Sequence, residues 1–200
     1  MTRTVVLASA NAGKLREINQ ILSSFDIHAL PQSQFQIVDV EETGLSFVEN
    51  AILKARHAAH HTRLPAIADD SGIEVDYLNG APGIYSARYA GPAATDAHNL
   101  QKLLDDLRDV PELQRSARFQ CVMVCLRHAQ DPAPIIAHGT WEGRILAAAR
   151  GNNGFGYDPV FWVATHNCSA AELPPQIKNQ LSHRGQALRA LVAALGHTPV

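Results

Sequence analysis

Ala66-Ile67-Ala68-Asp69-Asp70-Ser71-Gly72-Ile73-Glu74-Val75 runs from a short apolar stretch straight into two adjacent carboxylates. Pro65 to Ala68 reads as a buried strand, which predicts Asp69 and Asp70 at the strand end, where a sheet edge meets solvent. Neighbouring side chains on an extended backbone point to opposite faces. Only one of the two acids is therefore expected to face a cleft, while the other props a loop. Ser71-Gly72 predicts a turn that lets the backbone come close to a ligand. Two acids and a hydroxyl at a strand end suit a divalent cation and an activated water. The same letters also spell a plain Asp-Asp-Ser-Gly turn with no chemistry, and the rest of the chain must decide.

Working outward toward the N-terminus, Thr4 to Ala8 is a buried strand by its β-branched content. Ser9-Ala10-Asn11-Ala12-Gly13 is the turn after it, and Lys14 to Phe25 shows apolar residues at Leu15, Ile18, Ile21 and Leu22, at helical spacing. Strand, tight polar turn and helix is the layout that aims backbone N–H groups at an anion. It is not a Walker A loop, because Ala8 and Leu15 stand where that pattern needs a glycine and a hydroxyl residue. Ile27–Leu30 and Gln36–Val40 read as short extended pieces, followed by the acidic loop Glu41-Glu42-Thr43-Gly44. Ser46-x-x-Glu49 is a capping box that opens a helix through His60, with Val48, Ala51, Ile52, Ala55 and Ala59 as its apolar stripe. Lys54 and Arg56 fall off that stripe and are expected on a solvated face.

Toward the C-terminus, Gly80 to Gly91 is rich in turn residues yet carries Tyr85, Arg88 and Tyr89, which predicts an ordered loop. Thr95 caps a helix to Arg108. Arg118–Leu126 and Ile135–Ile145 read as two long strands joined through Asp131-Pro132, hence an antiparallel hairpin. Gly151 to Pro159 is a Gly-rich loop, Val160–Val163 a short strand, and Ser182 caps a final helix, His183–Leu195. Strands alternate with helices in the first half and pair in the second. That predicts a mixed α/β fold, a long central sheet with helices on its faces, and no linker splits residues 1–200 into separate domains.

Composition narrows the function classes. The 200 residues carry a formal net charge of -2, so phosphate binding must come from a local cluster of Lys and Arg rather than from the whole molecule. No apolar run approaches the roughly 20 residues that span a bilayer, and the N-terminus enters a strand pattern with no signal-peptide core. Three cysteines, Cys121, Cys125 and Cys168, form no Cys-x-x-Cys pair, which predicts a reducing, cytoplasmic setting. Polar segments at element ends supply Lys14, Lys178 and Arg184 on one side and Glu41, Asp69 and Asp70 on the other. A polyphosphate with Mg²⁺ needs that mixture: cations on phosphate oxygens and carboxylates on the metal. Lys178 alone would read as a surface lysine.

Six motifs occur in one order along nearly the whole chain. They are Ser9-Ala10-Asn11-Ala12-Gly13-Lys14; Glu42-Thr43-Gly44 with Phe47-Val48-Glu49-Asn50-Ala51; Ala68-Asp69-Asp70-Ser71-Gly72; Ala81 to Arg88; Gly154-Phe155-Gly156-Tyr157-Asp158-Pro159; and Ser182-His183-Arg184-Gly185. Together they resemble the noncanonical purine nucleoside triphosphate pyrophosphatases, the inosine/xanthosine triphosphate house-cleaning enzymes, in their bacterial branch. The resemblance implies two lobes with a nucleotide cleft, hydrolysis of inosine, deoxyinosine or xanthosine triphosphate to the monophosphate and pyrophosphate, dependence on Mg²⁺, and a homodimer with no nucleic-acid or membrane partner. It implies that Ser9, Ala10, Asn11, Ala12, Gly13 and Lys14 meet the triphosphate. Asp70 would be proton acceptor and Mg²⁺ ligand, and Glu41 a second acid at the metal. Ser71, Phe155, Gly156, Tyr157, Asp158, Lys178, His183 and Arg184 would touch the nucleotide. The family usually has glycine where Ala10 stands. Two rivals are a nucleotide sensor that does not hydrolyse, which has no need of Asp69, Asp70 and Glu41, and a related pyrophosphatase for methylated or pyrimidine nucleotides.

Overall fold

The computed structural model describes residues 3–196. In chain order the main elements are β1 (Arg3–Leu7), α1 (Ala12–Leu22), β2 (Ile27–Pro31), α2 (Phe47–Thr62), β3 (Ala66–Val75), α3 (Asp96–Asp106), β4 (Ser116–Leu126), β5 (Ile135–Ile145), β6 (Phe161–Val163), β7 (Cys168–Ser169), α4 (Pro175–Leu181) and α5 (His183–Gly196). The strands pair in the order β2-β1-β3-β4-β5-β6-β7. β1 runs parallel to β2 and β3, whereas β6 is antiparallel to both β5 and β7. The expected mixed α/β sheet with helices is therefore observed. None of the helices among the described residues is long and apolar enough to cross a membrane.

The described residues divide into two compact units: residues 3–70, 121–139 and 183–196 in the first, and 71–120 with 140–182 in the second. The first has a sheet buried on both faces. Val5, Leu7, Ile67, Cys121, Met123 and Cys125 pack with Ile18 and Leu22 of α1 and with Leu188 and Leu191 of α5. The alternate residues Val6, Ala8, Ala66, Ala68, Val122 and Val124 pack with Ala51, Ala55, Ala58 and Ala59 of α2. This is the two-residue period of a strand, read on both faces at once. Ser46 caps α2 by accepting from the Glu49 amide, as its sequence predicts. The Glu49 carboxylate reaches the Leu45 amide and the Ser46 hydroxyl.

The second unit has its own core of Ile73, Val75, Leu103, Leu107, Phe119, Trp141 and Phe161, in which the Phe161 ring lies 4.6 Å from Phe119 and 5.0 Å from Trp141. Thr95 caps α3 with a complete capping box to His98. The expected loop of Gly80 to Gly91 is ordered by a turn of helix over Gly83–Arg88.

Two expectations are corrected. The strand does not stop at Ala68: β3 continues to Val75, so Asp69 and Asp70 lie mid-strand and Ser71-Gly72 is no turn. The apolar residues Ile73 and Val75 belong to the second unit's core and keep the chain extended. The glycine is needed for a different close approach. A Cβ on Gly72 would sit 2.2 Å from the Gly83 carbonyl oxygen and 2.5 Å from Ser86 Oγ. That hydroxyl accepts from the Ile73 amide at 2.9 Å and donates to Gly83 O. Nor is the Lys54/Arg56 face solvated. Arg56 donates to the carbonyls of Ala129 and Asp131, and Lys54 reaches Glu42 and Asp70.

Gly72→Ala should cost about 1–3 kcal/mol, the usual range for overpacking a filled site. At about 2–4 °C per kcal/mol for a chain of this size, calorimetry should record a clear drop in Tm. An unchanged Tm would mean that the Gly83–Ser86 turn yields freely.

Candidate active site

β3 distributes its two acids by parity. Asp69 follows Ile67 onto the face that packs α1 and α5, where its carboxylate meets Lys14 Nζ at 3.0 Å and Arg184 Nη2 at 3.3 Å. Arg184 Nη1 also holds Glu17 of α1 at 2.5 Å. Asp70 follows Ala66 and Ala68 onto the α2 face. There Lys54 Nζ lies 2.8 Å from its Oδ1 and 2.7 Å from Glu42 Oε1. Asn50 Nδ2 donates to Asp70 Oδ2 at 3.4 Å, while its carbonyl oxygen accepts from the Gly44 amide at 2.8 Å. Gly44 has no room for a side chain, since a Cβ would come within 2.6 Å of Glu49 Cβ. The acidic loop is thus fastened to α2 and, through Asn50, to Asp70.

The turn after β1 is built as expected. Ser9 Oγ accepts from the Asn11 amide, and Asn11 caps α1 by accepting from the Lys14 amide at 3.0 Å. Ala10, Asn11 and Ala12 are exposed, whereas Gly13 is buried and Lys14 half-buried. The start of α1 is therefore presented to solvent, with a lysine whose amine is already drawn to Asp69.

The two carboxylates respond oppositely to burial. Burial alone would raise the Asp69 pKa, but Lys14, Arg184 and Lys54 outweigh it, and the group is held well below the ordinary carboxylate range. For Asp70 burial prevails. The Glu42 charge adds to it, Lys54 and Lys14 oppose it, and its proton affinity is raised. Lys54 loses charge stability to burial, yet Asp70, Asp69 and Glu42 more than restore it and hold its pKa up. The surroundings of Asp69 favour its charged form, and those of Asp70 favour its proton. Glu41 is exposed; Glu42, its neighbour, is the acid joined to Asp70 through Lys54. Among the described residues no three or more His, Cys, Asp and Glu side chains are grouped to hold a metal.

The second unit holds a separate polar group. Asp158 and Lys178 form a buried pair at 2.5 Å, so Lys178 is not the surface residue its isolated position suggests. The Asp158 carboxylate also accepts from the Phe155 amide at 2.8 Å, and Lys178 Nζ lies 5.0 Å from the Phe155 ring centre. Gly154, at φ +75°, leaves space for that carboxylate, which a Cβ would meet at 2.0 Å. Tyr157 is buried and donates its hydroxyl to Ser86 O at 2.8 Å. Gly156 donates its amide to Asp96 at 2.9 Å, and Ser71 is half-buried on β3.

Lys54, Asn50 and Glu17 are polar members of the first unit's group that residue types alone did not single out. A signal existed for Lys54. It lies three residues from Ala51 and one from Ala55 on α2, next to the stripe and not opposite it. Asn50 is wholly buried, and an asparagine inside a helix that offers it no local use points to a tertiary partner.

The Ham1 family model matches residues 5–194. A dITP/XTP pyrophosphatase of Vibrio cholerae is 61% identical over 193 residues, 96% of each chain. One from Salmonella typhimurium is 60% identical, covering 96% of this chain and 97% of its own. A HAM1 protein from Coxiella burnetii superposes with a TM-score of 0.90 at 52% identity, over 98% of this chain and all of its own. The Staphylococcus aureus Ham1 protein gives 0.85 at 42%, over 98% and 99%.

The opposite pKa shifts make unequal stability forecasts. Asp69→Asn removes the partner that buried Arg184 shares with half-buried Lys14 and should cost about 3–5 kcal/mol in urea denaturation. Asp70→Asn should cost much less, because the fold disfavours that group's charge. Equal losses would mean that the two sites are electrostatically alike.

Proposed function

The chain belongs to the Ham1 family, and we propose that it hydrolyses noncanonical purine nucleoside triphosphates to the monophosphate and pyrophosphate, clearing inosine, deoxyinosine and xanthosine triphosphates from the nucleotide pool. The observation that carries this reading is Asp70, a carboxylate of raised proton affinity fixed by Lys54 and Asn50. Such a group suits a general base whose pKa lies closer to neutrality than an exposed acid's. Asp70 takes the proton of the attacking water, whose oxygen bonds to phosphorus as the α–β anhydride breaks, and the released oxygen carries the bonding pair away, leaving monophosphate and pyrophosphate. Lys14 and the amides around Ser9 to Gly13 hold the polyphosphate. Lys54 keeps Asp70 oriented and offsets charge beside it.

A divalent cation fits the donor set. Mg²⁺ is commonly held by one or two carboxylates plus phosphate oxygens, with no all-protein cage. Asp70 and Glu41 would hold it, with Glu42 close by through Lys54. When bound it supplies charge neutralisation on the phosphate oxygens. In the second unit, Phe155 offers a ring for stacking on a base, and Ser71, Gly156, Tyr157, Asp158 and Lys178 shape or touch the nucleotide. Stacking selects no base. Selection falls to donors at the start of α5: His183 and the backbone amides there suit an acceptor oxygen at purine position 6 and oppose the amino group of adenine, while Arg184, buried against Glu17 and Asp69, holds that helix start in place. Residues 1–200 act as a single two-lobed cytoplasmic enzyme in this proposal.

Pyrophosphate release with Mg²⁺ across inosine, xanthosine, guanosine and adenosine triphosphates tests it. Inosine and xanthosine triphosphates should be hydrolysed far faster than adenosine triphosphate. Asp70→Asn should lose about 10²–10⁴ in rate for want of the base, while still binding nucleotide. Equal rates on adenosine and inosine triphosphates, or an active Asp70→Asn, would end the proposal.

We also propose a homodimer, supported by the exposed Tyr85 beside half-buried Ile84 and Tyr89, apolar surface suited to cover by a second copy. Light scattering should give twice the 21.7 kDa chain mass; a monomer mass at micromolar concentration would contradict it.

A further inference from the structure

The loop of Gly154 to Asp158 looks like a phosphate cradle by its glycines, yet its backbone donors are committed elsewhere. The Phe155 amide donates to Asp158 Oδ2 at 2.8 Å, and the next amide, of Gly156, donates to Asp96 Oδ2 at 2.9 Å. An anion at those amides would have to displace two carboxylates and face their like charge. The peptide units on either side of the Phe155 Cα are instead each pinned by an acid. Gly156 is where the loop could otherwise bend. Its φ is +59°, in the left-handed region that favours glycine, and nothing lies within 4 Å of a Cβ built there. Asp96 stands in the first turn of α3, which Thr95 caps and which starts the helix at a defined point.

We propose that Asp96 is a positioning residue: by accepting the Gly156 amide it fixes the Phe155 ring in the orientation that stacks on a base, and it makes this loop a reader of bases, not of phosphates. The inference rests on the nucleotide reading of Phe155 given above. The aspartate never touches the substrate; its effect passes through the Gly156 amide to the ring beside Lys178.

Three forms of the full chain test it: wild type, Asp96→Ala and Asp96→Asn. Hydrogen exchange at the Gly156 amide, followed by NMR, should quicken about tenfold or more in Asp96→Ala, the factor for loss of one hydrogen bond to a charged group. With inosine triphosphate, KM should rise about tenfold while kcat stays within about twofold, the pattern of lost ground-state binding. Competitive inhibition by inorganic pyrophosphate should stay unchanged, because the loop holds no phosphate. Asp96→Asn keeps an acceptor oxygen but no charge, and should restore both exchange and KM. That rescue separates the hydrogen bond from any effect of the charge on the α3 dipole. Unchanged Gly156 exchange in Asp96→Ala, weaker pyrophosphate inhibition, or an Asp96→Asn that behaves as the alanine variant would each overturn the proposal. Wild type that releases no pyrophosphate from inosine triphosphate would refute the enzymatic reading alone, and the Gly156 exchange would still decide the role of Asp96.

Discussion

The two-residue period of β3 is the constraint on which the acidic centre depends. A strand buried on both faces normally reads as an unbroken apolar run, and Ala66-Ile67-Ala68 obeys that rule. Two aspartates then continue the same strand into buried positions. Because consecutive side chains take opposite faces, they cannot share one site. Asp69 is delivered to α1 and α5, and Asp70 to α2. A buried carboxylate without partners is prohibitive, so each helix must bring a cation to its acid. Lys14 and Arg184 do this on one face, and Lys54 on the other. The identity of at least three helical residues follows from the parity of two strand residues.

The same parity separates two electrostatic tasks. Asp69 meets two cations, with Glu17 completing the charge balance around Arg184. That network favours the ionised form of Asp69 and ties α1 and α5 to β3, giving the turn after β1 a fixed base. Asp70 meets one cation that it shares with Glu42. Too little positive charge surrounds it to cancel its burial, and its proton affinity rises. Two identical residues, adjacent in the chain, are shifted in opposite directions because of what stands opposite each.

In the second unit, carboxylates are turned on the backbone. Asp158 binds an amide and a lysine at once, and Asp96 binds the next amide. Glycines give a loop conformational freedom and let its backbone come close to a ligand. Here acids consume the donors, and the glycines serve steric ends: Gly154 admits the Asp158 carboxylate, and Gly156 adopts a left-handed φ. The loop is tied down where its composition suggests freedom, and the amides of Phe155 and Gly156 are already bonded to carboxylates.

Most elements of the fold were legible in local sequence. Ser46, Asn11 and Thr95 are caps whose partners lie three residues away, and the apolar periods of α1, α2 and β4 are contained within each segment. The division of Asp69 from Asp70 onto opposite faces was equally readable, because it is a property of extended backbone alone. The length of β3 was not. Asp-Asp-Ser-Gly has turn propensity, and what keeps it extended is Ile73 and Val75 packing on Phe119 and Trp141, residues far along the chain. The fates of Lys54 and Lys178 were hidden for the same reason. A lysine's sequence neighbourhood says which face of a helix it takes, but the carboxylate that justifies its burial arrives from 16 residues away for Lys54 and 20 for Lys178. Periodicity and capping are local and therefore written in the sequence; charge pairing is decided by tertiary proximity, because Coulomb energy in a dry interior depends on distance in space and is indifferent to distance along the chain.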